Sequence, residues 1–364
     1  MKILLIGEYS NVHATLAAGL KAIGHEATVV SNGDFWKDYP RDINLVRTYT
    51  KWGGIKYMLQ LYSLLPRLRG YDVVQLINPM FVELKAERIF RIYDYLRKHN
   101  GKMVLGAFGM DYYWVNTCTE HKPLRYSDFN MGNEVRVNAD ALKERADWIG
   151  TAKERLNKYL AQDCDAIVTG LYEYHVCYEM FYPNKTTFIP LPIQIEKAKE
   201  NTITTFPPLR LFIGISKGRS EYKGTDIMLR AAKKIQAKYP KLVELKIAEG
   251  IPYEQYKLMM EGSDAILDQL YSYTPSMNPL LAMSKGIICI GGGEPENYEI
   301  IGEKELRPII NVLPNEESVC NALEELVLHP DRIPELKRQS VEYVRKHHDY
   351  IKVARQYEIV YRHR

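Results

Sequence analysis

Two short stretches of the chain gather groups suited to a phosphorylated, hydroxylated ligand. The first is GISKGRSEYKG, residues 214–224, where Lys217, Arg219 and Lys223 lie between Gly214 and Gly224. Glycines let a backbone approach a ligand closely, and a helix starting after Gly224 offers unpaired N–H donors. A guanidinium gives paired hydrogen bonds to a phosphate and an ammonium adds a compact charge. Arg219 and Lys223 therefore suit a diphosphate whose charge grows as it departs. A solvated basic turn has the same composition. The second stretch is GGGEPE, residues 291–296, in which Gly291, Gly292 and Gly293 lead into Glu294, Pro295 and Glu296. Carboxylates there accept from sugar hydroxyls, best if Glu296 opens a helix over 297–301. Alternatively, the glycines close a tight turn and the acids favour a helix start.

Other polar residues fall in comparable loops. GAFGMDYYW, 106–114, carries Asp111 out of a strand with Tyr112, Tyr113 and Trp114. Asp111 can meet an acceptor hydroxyl, act as a base, or cap a helix. His13 sits near the start of the first helix, close after Gly7, and Asn78 follows another strand. A histidine so placed is either a base or a structural hydrogen-bonder. Asp163-Cys164-Asp165 has the form of a metal motif but precedes a strand at its amino end. Cys118 and His121 have ligand-like spacing with no second pair. No metal is expected.

These loops belong to an alternation of strand and helix. Strands are expected at 2–6, 27–30, 72–77, 102–108, 166–169 and 187–189. Helices are expected over 11–23, 54–69, 81–99 and 139–161. After a proline-rich linker at 191–208, strands recur at 209–215, 242–248, 265–267, 287–290 and 308–312, with helices between. Short apolar strands alternating with helices predict parallel sheets covered on both faces. The fold class is thus α/β, with two doubly wound domains: 1–190, carrying an insertion at 111–150, and 209–347. A last helix, 348–364, follows. In such sheets ligands bind beyond the carboxyl ends of the strands, where the phosphate-, sugar- and acceptor-side candidates lie and Asp163-Cys164-Asp165 does not.

Taken together, GRSEYKG, then DAILDQLYSYTPSMNPLLAMSKGIICIGGGEPE, then HHDYIKVARQYEIVY resemble the donor-binding half of GT-B glycosyltransferases, with glycosyltransferase family 4 the nearest pattern. KILLIGEYS, YDVVQLINP and TTFIPLPI fit the other half in outline. The resemblance implies two facing Rossmann-like domains, with the last helix returning to the first. It also implies sugar transfer from a nucleotide-diphosphate donor, retaining and without metal or further cofactor. Gly291–Gly293, Glu294, Asp268, Gln269, Tyr273 and Asn278 would lie at the donor sugar and nucleotide, and Gly7, Asn78, Tyr112 and Tyr113 on the acceptor side. Asp111, His13 and Glu296 would be the catalytic candidates. The family pattern has two glutamates eight positions apart where this chain has Tyr273 and Leu281. That departure keeps open a non-catalytic nucleotide- or glycan-binding subunit, and the fold also admits a sugar-nucleotide epimerase. A nicotinamide dehydrogenase is disfavoured, because GEYSNVHA follows the first strand in place of Gly-x-Gly-x-x-Gly.

Composition narrows the partners. A net charge of +4 spread over 364 residues argues against nucleic acid. Five scattered cysteines argue against a disulfide framework, and the apolar start is too short for a signal segment, so the cytoplasm is the expected location. Tyrosine is abundant, 27 against 9 phenylalanines, which suits stacking on sugars or bases. KWGGIKYMLQLYSLLPRLRG, 51–70, mixes cations, aromatics and leucines, and suits either a core-facing helix or contact with a membrane interface.

Overall fold

Alternating short apolar strands and helices build two parallel sheets. The computed structural model describes residues 1–50, 52–195, 206–215, 218 and 220–363. Unit 1 comprises Met1–Pro123, Lys143–Pro192 and Tyr350–Arg364, and unit 2 comprises Leu124–Leu142 and Ile193–Asp349.

The sheet of unit 1 has seven strands. In spatial order they are Ile43–Asn44, Glu26–Ser31, Lys2–Ile6, Val73–Leu76, Lys102–Ala107, Ala166–Thr169 and Thr186–Phe188, every adjacent pair parallel. Ile3, Leu4, Leu5 and Ile6 are all buried, as an unbroken apolar run requires when both sheet faces are covered. The final helix, Tyr350–Arg362, lies against the helix Val12–Ala22. Their approach depends on Gly19, where a Cβ would sit 2.4 Å from the Tyr350 carbonyl oxygen. Val353 and Tyr357 thereby join Leu16 and Leu20 in one core.

Unit 2 has five parallel strands in the order Val243–Glu249, Leu209–Ile215, Ala265–Leu267, Ile288–Gly291, Ile310–Asn311. The period of two is visible in its cores: Leu211, Ile213 and Leu267 pack on one face with Met228 and Leu323. Phe212 and Ile266 pack on the other with Met260 and Ala282. In both sheets the strand order reverses beside the unit's own first strand, so the crevice at the carboxyl ends opens there.

Three local expectations differ from the structure. The helix expected over 139–161 is two helices, Ala139–Trp148 and Ala152–Asp163. Gly150, with φ +73°, turns the chain, and the Thr151 hydroxyl accepts from the Lys153 N–H to start the second helix. The helix expected over 81–99 begins at Ala86. Residues 124–142, expected within an insertion of the first domain, make their contacts in unit 2. Among the described residues no helix is long and apolar enough to cross a membrane. Most of the 191–208 linker lies outside them.

Candidate functional site

In unit 2 the loops after three neighbouring strands carry the donor-side candidates. Lys223 ends the short helix Ser220–Lys223, and Gly224, with φ +73°, opens the helix Thr225–Lys238, which no side chain of a described residue caps. A Cβ on Gly224 would meet Leu270 at 2.8 Å, so this glycine lets the basic loop pack on the next one. Gly214 plays the same part beneath the Tyr256 ring. Lys217 and Arg219 lie outside the described residues. Asp268 is partly exposed and its carboxylate accepts no hydrogen bond from a described residue. Its low-dielectric surroundings push its pKa up to about 6, against the pull of the Lys223 ammonium. Gln269 follows it, partly exposed. Asn278 is turned to the Tyr256 hydroxyl, to which it donates at 2.8 Å.

GGGEPE is organised differently from a bare ligand cradle. A Cβ on Gly292 would lie 2.1 Å from the Ser272 carbonyl oxygen, and one on Gly293 would lie 2.6 Å from Ile309. These glycines therefore admit close packing of the protein's own backbone. The Gly293 N–H donates to Asn311 and the Glu294 N–H to the Tyr273 carbonyl. At Gly291 the fit is looser, since an added Cβ would lie 3.2 Å from the Gln269 carbonyl oxygen. Glu294 precedes the helix Pro295–Ile300 and Glu296 lies in its first turn. Both carboxylates are held by one guanidinium. Arg125 spans the two oxygens of Glu296 at 2.5 and 3.1 Å, and donates to Glu294 at 2.8 Å. The Tyr126 hydroxyl donates to the other oxygen of Glu294. Hydrogen bonding to Arg125 lowers the pKa of Glu296. Tyr273 is buried, its hydroxyl accepting from the Arg125 N–H at 2.7 Å, and Leu281 is partly exposed.

In unit 1 the loops hold their polar residues in internal networks. Glu8, at the end of the first strand, accepts from the N–H groups of His13 and Ala14, filling the start of the helix Val12–Ala22. Burial raises its pKa to about 8. A Cβ on Gly7 would collide with Ile77 at 2.3 Å. His13 is fully buried. Its Nδ1 donates to the Gly7 carbonyl at 2.8 Å, and its Nε2 accepts from Gln75 at 3.2 Å. The Gln75 carbonyl oxygen accepts from Tyr361 on the last helix. With both nitrogens engaged and burial lowering its pKa to about 3, His13 is a neutral structural bridge.

Asp111 is the N-cap of the short helix Tyr112–Asn116. It accepts from the Trp114 N–H at 2.8 Å and the Tyr178 hydroxyl at 2.7 Å, with no exposed surface. Burial lifts its pKa to about 7. Tyr112 is buried beside Lys158, and Tyr113 beside Tyr178 and Tyr182. Asn78 donates to the Met110 carbonyl and accepts from the Met80 N–H. Unit 1 also holds a cavity of ≈ 80 Å³ beside Glu8, lined by Tyr9, Asn32, Phe35, Tyr57 and Glu83. Glu83 accepts from Asn32, and its second oxygen is buried with no partner. The Asp163-Cys164-Asp165 stretch is tied down, Asp163 to Tyr93 and Asp165 to Arg97. Among the described residues no three His, Cys, Asp or Glu side chains converge as metal ligands.

No protein-family model and no curated protein sequence matches this chain. Solved structures do. Over 100% of this chain and 98% of the other, the fold is similar to a sucrose-phosphate synthase from Thermosynechococcus elongatus, at 12% identity and TM-score 0.64. Anabaena HepE in complex with UDP-glucose is similar over 99% and 98%, at 12% identity and TM-score 0.58. A glycosyltransferase from Rickettsia africae is similar over 99% and 97%, at 11% identity and TM-score 0.56. The fold is GT-B.

Within that fold the structure brings Lys223, Gly224, Asp268 and Glu296 to the carboxyl-end loops of one sheet, and engages His13, Asp111 and Asn78 inside unit 1. Arg125 and Tyr126 escape sequence reasoning because they meet Glu294 and Glu296 across 168 to 171 residues, with no motif at either end. Glu8 has a weak signal, an acid directly after the first strand.

The buried cap has a measurable signature. Asp111 gains a pKa above its ordinary value on folding, so its burial costs nothing while it is protonated in both states and costs more as pH rises toward 7. Asp111→Asn should therefore gain thermal stability relative to wild type between about pH 4.5 and about pH 8. A melting-temperature difference independent of pH would contradict an internal, solvent-excluded Asp111.

Proposed function

We propose that this protein transfers a sugar from a nucleotide-diphosphate sugar to a hydroxyl of a glycan or glycolipid acceptor, retaining the anomeric configuration and using no metal or further cofactor. The observation that carries this reading is the convergence, at the reversal of the unit 2 sheet, of Lys223, the N-terminus of the helix Thr225–Lys238 and the carboxylate of Asp268, the last two without a side-chain partner among the described residues. A diphosphate fits the first two, through charge and through N–H groups aimed at its oxygens. Asp268 and Gln269 are polar partners for the nucleoside, and Glu296 for sugar hydroxyls. That HepE was solved with UDP and with UDP-glucose supports the choice of ligand class.

In the reaction so read, the bond from the anomeric carbon to the diphosphate breaks and the acceptor oxygen bonds that carbon. The hydroxyl proton passes to the departing diphosphate, which serves as base. Lys223, with Arg219 and Lys217 from the same basic loop, stabilises the charge that develops there. This route asks for no base from unit 1, in keeping with the internal engagement of His13 and Asp111. The cavity beside Glu8 and Glu83 is the acceptor-side space we favour.

We further place the protein in the cytoplasm, peripheral to the inner face of the membrane. The helix Gly53–Leu64 buries Tyr57, Leu61 and Leu64, yet Ile55, Leu59 and Tyr62 are exposed at helical spacing, as are Tyr49 and Trp52. Residues 43–71 contain five Lys or Arg and no acid. An apolar face edged with cations suits an anionic lipid surface, where a lipid-linked acceptor would lie.

Two measurements check these statements. In calorimetric titrations with UDP, GDP, ADP and TDP, one should bind without magnesium. Lys223→Ala should weaken it about 10- to 100-fold, the range for a charged hydrogen bond. An unchanged dissociation constant in the folded variant would refute the diphosphate assignment. Wild type should also sediment with vesicles containing phosphatidylglycerol, and Trp52→Ser combined with Leu59→Ser should abolish this. Equal sedimentation of the two would refute the membrane contact.

A further inference from the structure

The segment Leu124–Leu142 reaches unit 2 from far away in the sequence and touches each of its three ligand-side loops. The Arg136 guanidinium donates to the Glu221 carbonyl at 3.0 Å and lies 3.6 Å from the centre of the Tyr271 ring. The Arg125 N–H is fixed by the Tyr273 hydroxyl, and the Tyr126 and Tyr273 rings lie 4.9 Å apart. The Arg125 guanidinium then holds Glu294 and Glu296. The arm's own interior is solid: Ser127, Phe129 and Asn130 have no exposed surface, and Asn130 donates to the carbonyls of Leu124 and Gly132.

The two carboxylates differ in what they have left to give. Glu294 is 6% exposed and both its oxygens are occupied, by Arg125 and by Tyr126. Glu296 is 20% exposed, and its two oxygens take one guanidinium between them. A carboxylate offers about four acceptor positions and each of these takes two hydrogen bonds from Arg125 or Tyr126, so what separates them is access: Glu296 is the more exposed, and its remaining lone pairs are the ones a ligand can reach.

Building on the donor reading above, we infer that Arg125 is a positioning residue for the donor sugar. It fixes Glu296 in one rotamer and keeps it ionised, so that the free lone pairs of Glu296 accept from sugar hydroxyls. Tyr273, buried and accepting from the Arg125 N–H, anchors the arm that brings the guanidinium. The acidic and basic residues at this point are Arg125, Glu294 and Glu296, with the hydroxyls of Tyr126 and Tyr273 beside them. One cation against two carboxylates leaves a net negative site. It takes a sugar presenting neutral hydroxyls and rejects one bearing a carboxylate.

The test uses the full-length protein and calorimetry. Its ligands are whichever of UDP, GDP, ADP and TDP binds, together with the glucose and glucuronate esters of that diphosphate. Wild type should bind the glucose ester at least tenfold more tightly than the glucuronate ester. Arg125→Ala should leave the free diphosphate within twofold of wild type, weaken the glucose ester tenfold or more, and shift the acid limb of its binding to higher pH. Arg125→Lys should recover part of the loss. Glu296→Gln, which keeps the side chain's shape, should show the same ester-specific loss with that acid limb gone. Equal loss of diphosphate and ester would reduce Arg125 to a structural role. Unchanged or tighter ester binding would make the arm a bystander or a lock, and preference for the glucuronate ester would overturn the sugar class. Failure of wild type to bind any of the diphosphates or esters would instead overturn the donor reading itself.

Discussion

Two carboxylates separated by one residue, Glu294 and Glu296, lie at the start of one short helix, and holding two like charges so close calls for a cation between them. Arg125 is that cation, and much of unit 2 follows from the need to place it. Because Arg125 comes from a stretch interrupting unit 1, the chain must leave that unit, fold an arm onto the second, and return. Tyr273 is buried to receive the arm's backbone. Gly292 lacks a side chain so that the 272–273 loop can lie directly on the 291–293 loop. The glycines and acids of GGGEPE are thus first a packing and charge-pairing device, and the site's polarity is what remains exposed of it.

Unit 1 obeys the same constraint with opposite results. Three of its buried polar groups are satisfied internally: Glu8 closes the start of a helix, His13 joins the first strand's loop to the last helix through Gln75, and Asp111 caps a short helix. The first helix therefore has its leading N–H groups engaged by Glu8 and the preceding turn, whereas among the described residues no side chain caps the helix after Gly224 in unit 2. That asymmetry between two similar sheets supports placing the phosphorylated partner on unit 2.

Much of this architecture was legible in the sequence, and the reason is local. Strands such as 2–6 and 209–215 announce themselves as short apolar runs, and the carboxyl-end rule then puts Lys223, Asp268 and Glu296 in candidate loops. A helix break at Gly150 was hidden, because apolar and charged residues continue at helical spacing across it. The pairing of Arg125 with Glu296 was hidden for a deeper reason: it joins residues 171 apart and depends on where the arm folds. Nor does sequence separate a polar residue that faces a ligand from one that caps a helix. Asp111 and His13 stand near strand ends as Asp268 does, yet their polar groups are buried and engaged within the protein, while Asp268 is partly exposed and its carboxylate accepts from no described residue.

The central claim is that a nucleotide-diphosphate sugar sits on the carboxyl-end loops of unit 2, beneath the arm. Hydrogen–deuterium exchange with and without a saturating donor locates that contact directly. The account predicts slower exchange in 218–226, 268–273 and 291–297 and in the arm around 125–136, with the first helix of unit 1 unchanged. Protection centred on residues 7–14, with unit 2 unaffected, would contradict it.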